Sequence, residues 1–132
     1  MVANDFCTDA NDRAEELLHR ILSEQEWKQF RKKGVLEVVG SRGTYCISAN
    51  YLTDVINSGT RRRVATACLQ FSAPAPALDR VVAEYVLIRN DEDLYWRTAN
   101  IYPPAPSNWI LATLIGSLDL VLLAALILQL SK

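Results

Sequence analysis

Two different periods of apolar and polar residues alternate along the first hundred positions. Ala14, Leu17, Leu18, Ile21 and Leu22 recur at helical spacing, and Thr8 or Asp9 can cap a helix running to about Leu22. Ser23-Glu24-Gln25-Glu26 has capping-box spacing, so a second short helix is expected there, with Trp27 and Phe30 as its apolar contacts. Arg31, Lys32 and Lys33 favour a helix C-terminus, and Gly34 a stop. The period then falls to two. Val35–Val39 and Thr44–Ser48 flank the turn Gly40-Ser41-Arg42-Gly43, which predicts a β-hairpin. Leu52–Ile56 and Arg62–Leu69, separated by Asn57-Ser58-Gly59-Thr60, read as a third and a fourth strand.

After the stiff connection Ala73-Pro74-Ala75-Pro76-Ala77, a helix is expected from about Leu78 to Ile88, with Val81, Val82 and Tyr85 on one face. Asp91-Glu92-Asp93 suits the first turn of another short helix, with Leu94, Tyr95 and Trp96 beyond it. A helix pair, a small antiparallel sheet and further helices make an α+β domain.

From Trp109 to Leu130 the periodicity disappears because almost every residue is apolar. As a helix this run would be about 33 Å long, a match to a hydrocarbon core of about 30 Å. Pro103, Pro104 and Pro106 break any helix arriving from the domain, and Ser107 or Asn108 can cap a new one. Trp109 suits the headgroup interface and Lys132 can snorkel at the far end. The expected organisation is a soluble domain over residues 1–102, a Pro-rich linker over 103–108 and a transmembrane helix over 109–130. Arg80, Arg89 and Arg97 precede the span and Lys132 alone follows it, so the domain is expected in the cytoplasm and the C-terminus on the opposite side, as in a tail anchor.

Asp119 lies near mid-depth of that span. A carboxylate there costs about 2.5–3.5 kcal/mol on insertion scales, so it is expected to face protein or water. Ala112, Gly116, Asp119 and Leu123 share one helical face, flanked by the hydroxyls of Thr113 and Ser117. Small residues four apart allow close approach of a second helix. This face is therefore expected to dock integral-membrane protein subunits within the lipid bilayer.

Composition narrows the remaining possibilities. Of 14 basic and 15 acidic side chains, 13 and 14 remain when Lys132 and Asp119 are set aside, and this balance gives no general pull towards nucleic acid. The three cysteines, Cys7, Cys46 and Cys68, form no CxxC and read as reduced thiols, Cys46 and Cys68 as core residues. His19 stands alone on the first helix, and no catalytic set, metal motif or phosphate loop is apparent, so no cofactor, metal or small-molecule substrate is expected. Arg61, Arg62 and Arg63 form the most basic spot. They read equally as a solvated turn or as a contact for anionic lipid, and a second basic cluster, Lys28, Arg31, Lys32 and Lys33, reads equally as a helix end or as such a contact.

The segments Ala14-Glu15-Glu16-Leu17-Leu18, Glu37 through Ile47, Cys68-Leu69 and Leu78-Asp79 through Asp91-Glu92-Asp93 recur in a recognisable order. In that order, over about residues 13–100, the chain resembles a small domain found across many uncharacterised bacterial proteins. The resemblance implies an α+β fold and no established activity, and it supplies no catalytic residue. Together these readings lead to the expectation of a non-catalytic, single-pass accessory subunit of a larger membrane complex. Respiratory and photosynthetic energy-transducing assemblies are the analogy. A membrane-tethered adaptor that recruits a soluble partner is the alternative.

Overall fold

The computed structural model describes residues 3–104, with side chains described from Asp9 onwards. Helices α1 (Ala3–Ile21) and α2 (Glu24–Lys33) lead into strands β1 (Val35–Val39), β2 (Thr44–Ser48), β3 (Thr53–Ile56) and β4 (Arg63–Cys68). Helices α3 (Ala77–Asn90) and α4 (Glu92–Thr98) and strand β5 (Asn100–Tyr102) complete the domain. The strands form one antiparallel meander in the order β1-β2-β3-β4-β5. The α+β architecture with a small antiparallel sheet is thus as expected. Residues 105–132, including the expected span 109–130, lie outside the described residues.

Local chemistry explains the element ends. Ser23 caps α2 reciprocally: its backbone N–H donates to Glu26 at 2.9 Å, while its hydroxyl accepts from the Glu26 N–H at 3.3 Å. Gly34 closes that helix in the left-handed region at φ 68°, its N–H donating to the Phe30 carbonyl at 2.8 Å. Helix α1 starts earlier than the expected Thr8 or Asp9. Asp9 lies inside the helix and takes up Arg13 one turn on, at 2.5 Å, so its carboxylate supports the helix rather than capping it. Helix α4 in turn contains Leu94, Tyr95 and Trp96, which were expected beyond it. The Asp91 side chain accepts from the Leu94 N–H at 2.9 Å and starts a turn that continues to Thr98. Strand β5 is absent from the sequence-based expectation because three residues carry too little alternation to register.

Period-two alternation sorts the sheet into two faces. Leu36, Val38, Tyr45, Ile47, Val55, Ala65 and Ala67 point into one core with Leu18, Phe30, Val81, Ile88 and Tyr95 from the helices and Leu22 from the α1–α2 connection. Burying each large aliphatic side chain contributes roughly 1.5–3 kcal/mol. The same parity corrects the two strand cysteines. Tyr45 and Ile47 face inwards, so Cys46 faces outwards; Ala65 and Ala67 do the same to Cys68, and both thiols are half-buried rather than core. On α1, Ala14 and Leu18 are buried, as is Leu22 just after it, whereas Leu17 is 44% exposed.

Strand β5 extends the sheet through Thr66–Tyr102, Ala67–Ile101 and Cys68–Asn100 pairings. A fragment ending at residue 104 is expected to unfold cooperatively. One ending at 99 loses β5 and the partly buried Ile101, and its Tm should fall by about 4–8 °C for each kcal/mol lost. Thermal melts followed by circular dichroism check this; equal Tm values would exclude β5 as a stabilising strand.

Candidate functional site

Two polar clusters and one basic turn carry the chemistry of the described residues. The first cluster is buried between α3 and the sheet. Glu84 is wholly buried on the inward face of α3, between Val81 and Ile88. Its carboxylate accepts from the Thr53 hydroxyl, from the Leu69 N–H at 3.1 Å and from Arg80 Nη1 at 3.2 Å. Arg80 in turn donates to the carbonyls of Ser48 at 2.5 Å and Tyr51 at 2.9 Å. The face expected from apolar spacing was Val81, Val82 and Tyr85. Of these only Val81 is fully buried, because the centre of the true face is a carboxylate that hydrophobic counting rejects. The Tyr95 hydroxyl is also buried nearby and completes no hydrogen bond among the described residues. Burial pushes that phenol up, the Glu84 charge adds to the effect, and the adjacent Thr53 hydroxyl opposes it.

The second cluster fastens the β1–β2 turn to the first turn of α4. Glu92 accepts from the Ser41 N–H at 2.8 Å, the Ser41 hydroxyl at 2.6 Å, the Arg42 N–H at 3.1 Å and the Tyr45 hydroxyl at 2.5 Å. Trp96 Nε1 donates to the Tyr45 oxygen at 2.6 Å. Arg42 sits 4.9 Å from the Trp96 ring centre and 2.9 Å from Asp93. Gly40 is required here for its missing side chain. A Cβ would stand 2.6 Å from Glu92 Oε1 and 2.7 Å from Tyr45 Cε2. Partial burial on its own would raise the Glu92 carboxyl, but the hydrogen bonds from Ser41, Tyr45 and Arg42 outweigh it and hold the group at about 2. Burial, then the Glu92 hydrogen bond, pushes the Tyr45 phenol up.

Neither cluster presents a reacting geometry, since every polar atom of Glu92 and Glu84 is directed at the protein's own donors. A groove of about 280 Å³ runs between α1, α2 and α3, lined by Glu15, Trp27, Phe30, Arg31 and Leu78. Its only two charged groups, Glu15 and Arg31, pair with each other at 2.5 Å, and convergent polar groups for a small ligand are missing. His19 packs its ring 4.7 Å from Trp27. Among the described residues no group of three or more His, Cys, Asp and Glu could hold a metal ion, and no helix is long and apolar enough to cross a membrane.

Arg61, Arg62 and Arg63 all lie exposed at the β3–β4 turn. Asn57 builds that turn: its side-chain oxygen accepts from the Gly59 N–H at 3.1 Å and the Thr60 N–H at 2.8 Å. Arg61 adopts a left-handed φ of 58°, and its N–H closes on the Asn57 carbonyl at 2.8 Å. Arg63 pairs with Asp54 at 3.3 Å, while Arg61 and Arg62 form no ion pair among the described residues. The other expected site residues, Trp109, Ala112, Thr113, Gly116, Ser117, Asp119, Leu123 and Lys132, lie outside the described residues. No family model, no curated protein and no solved structure matches this chain.

The depressed Glu92 carboxyl links stability to pH. Its pKa is lower in the folded state, so its contribution is complete above the ordinary value of 4.5 and disappears as pH falls through about 2. Discounted for solvent screening at a partly exposed site, the contribution is roughly 1–2 kcal/mol at neutral pH. Glu92→Gln should lose that amount at pH 7 and show a shallower stability decline between about pH 5 and pH 2. Gly40→Ala should lose a similar amount with the charge retained. Urea unfolding across the pH range measures both, and parallel curves for Glu92→Gln and wild type would refute the fastening role. Removing the fully buried carboxylate with Glu84→Ala should cost more, about 3–5 kcal/mol, because Arg80 is left unpaired.

Proposed function

We propose that the protein is a non-catalytic, single-pass accessory subunit of a larger integral-membrane complex. Asp119, at the centre of the apolar run 109–130, carries this reading. A mid-membrane carboxylate costs about 2.5–3.5 kcal/mol if it faces lipid, and a neighbouring helix that hydrogen-bonds it relieves the cost. Ala112 and Gly116 on the same helical face leave room for that neighbour, with Thr113 and Ser117 beside them. In this arrangement Trp109 and Lys132 mark the two interfaces. The domain caps the cytoplasmic side of the partner, and the internally satisfied Glu92 and Glu84 clusters serve its stiffness rather than a reaction. An energy-transducing assembly, respiratory or photosynthetic, is the setting suggested by analogy.

A membrane-tethered adaptor is the second reading, and the open face of the sheet favours it. Glu37, Cys46, Asp54, Thr66 and Tyr102 line up across all five strands on the face that carries no described helix. A soluble protein could seat there while the anchor faced only lipid.

Gentle detergent extraction followed by mass spectrometry separates the two. A stoichiometric complex with integral-membrane proteins supports the subunit, and a chain extracted alone supports the adaptor. Asp119→Leu and Gly116→Leu should each reduce co-purification by about tenfold, a loss of roughly 1.4 kcal/mol, while membrane insertion is preserved. Wild-type yields of complex for both variants would eliminate helix docking through this face.

A further inference from the structure

Strand direction brings three features to one end of the sheet. Because the meander is antiparallel throughout, β1, β3 and β5 run the same way. Their common end carries the β1–β2 turn at residues 40–43, the β3–β4 turn at 57–62 and the exit of the chain beyond Tyr102. The second basic cluster, Lys28, Arg31, Lys32 and Lys33, belongs to α2, which ends where β1 begins at the opposite end. That cluster is also partly neutralised: Arg31 pairs with Glu15 at 2.5 Å and Lys33 with Glu37 at 3.8 Å.

We infer that the β3–β4 turn rests on the membrane headgroup layer, with Arg61 and Arg62 against the phosphates of anionic lipid. The inference rests on the reading of 109–130 as a membrane span and adds the orientation of the domain to it. Only six residues separate Tyr102 from Trp109, a reach of about 25 Å when fully extended. A domain of this size has a radius of gyration of about 13 Å, or about 33 Å across. A tether shorter than the domain's width keeps the exit end nearest the bilayer.

Charge selects the turn within that end. Glu92 and Asp93 occupy the β1–β2 turn, where Glu92 takes the Ser41 and Arg42 N–H groups and Asp93 pairs with Arg42. At the β3–β4 turn, beside the exit strand, Asp54 takes Arg63, and Arg61 and Arg62 are exposed with no carboxylate partner among the described residues. The Asn57-centred hydrogen bonds fix the backbone that presents them. Apolar groups flank the same end: Val39 is 73% exposed and Val64 41%, and Tyr102, at 46%, offers the amphipathic ring that favours interfaces.

The test is hydrogen exchange on the full-length chain in nanodiscs of phosphatidylcholine, with or without phosphatidylglycerol. Phosphatidylglycerol should slow exchange over residues 57–63 by at least about fivefold, the attraction of one basic residue to an anionic surface. The slowing should vanish in the Arg61→Gln/Arg62→Gln variant and at high salt, and persist in Lys28→Gln/Lys32→Gln. Inorganic phosphate added to neutral nanodiscs should not reproduce it; if it does, the turn binds free phosphate and the lipid contact is wrong. Protection that ignores lipid charge, or that falls on residues 28–33, overturns the orientation while the anchor stands. Release of the full-length chain from vesicles by carbonate overturns the anchor and the orientation together.

Discussion

A carboxylate sealed away from water is the constraint around which this domain is arranged. Glu84 must have donors on every side, and they come from three separate stretches of chain: the Thr53 hydroxyl on β3, the Leu69 N–H after β4 and Arg80 one turn earlier on α3. Breaking such a set is expensive, whereas the intact set is close to neutral against an apolar core. Its effect is therefore on specificity more than on gross stability. All three donors are met in the register that helix α3 adopts on the sheet, and Arg80 ties that register to the carbonyls of Ser48 at the end of β2 and Tyr51 in the β2–β3 connection. The apolar neighbours Val81 and Ile88 supply adhesion without choosing the position.

The Glu92 cluster plays the complementary part at the other end of the helical layer. It joins Gly40-Ser41-Arg42 to the start of α4, two short stretches separated by some fifty residues in the chain. Both stretches were prominent in the sequence, one as a turn and one as an acidic helix start, yet their meeting was not visible there. What makes it possible is a glycine without a side chain at position 40 and a tyrosine whose hydroxyl reaches from inside the core.

Where structure follows from local rules, the sequence was legible. The Ser23–Glu26 box, the Gly34 stop and the Val35–Ser48 hairpin are all decided within a few residues, and all stand where the pattern puts them. Tertiary partners decide the remainder. Glu84 is buried because of groups far away in the chain. Cys46 turns outwards because its neighbours Tyr45 and Ile47 are needed inside, and β5 is a strand only because β4 lies next to it. Of the candidate site, the basic turn was legible as composition. Its pairing state and its position beside the exit strand required the strand order.

The meander has a temporal consequence as well. Hairpin-connected strands close short loops, and mixed domains of this kind reach the native state in about milliseconds to a fraction of a second. The pairing of β5 with β4, which completes the sheet, uses residues 66–68 and 100–102 alone. If residues 109–130 enter a lipid phase as proposed, folding of the domain and that delivery are separable events.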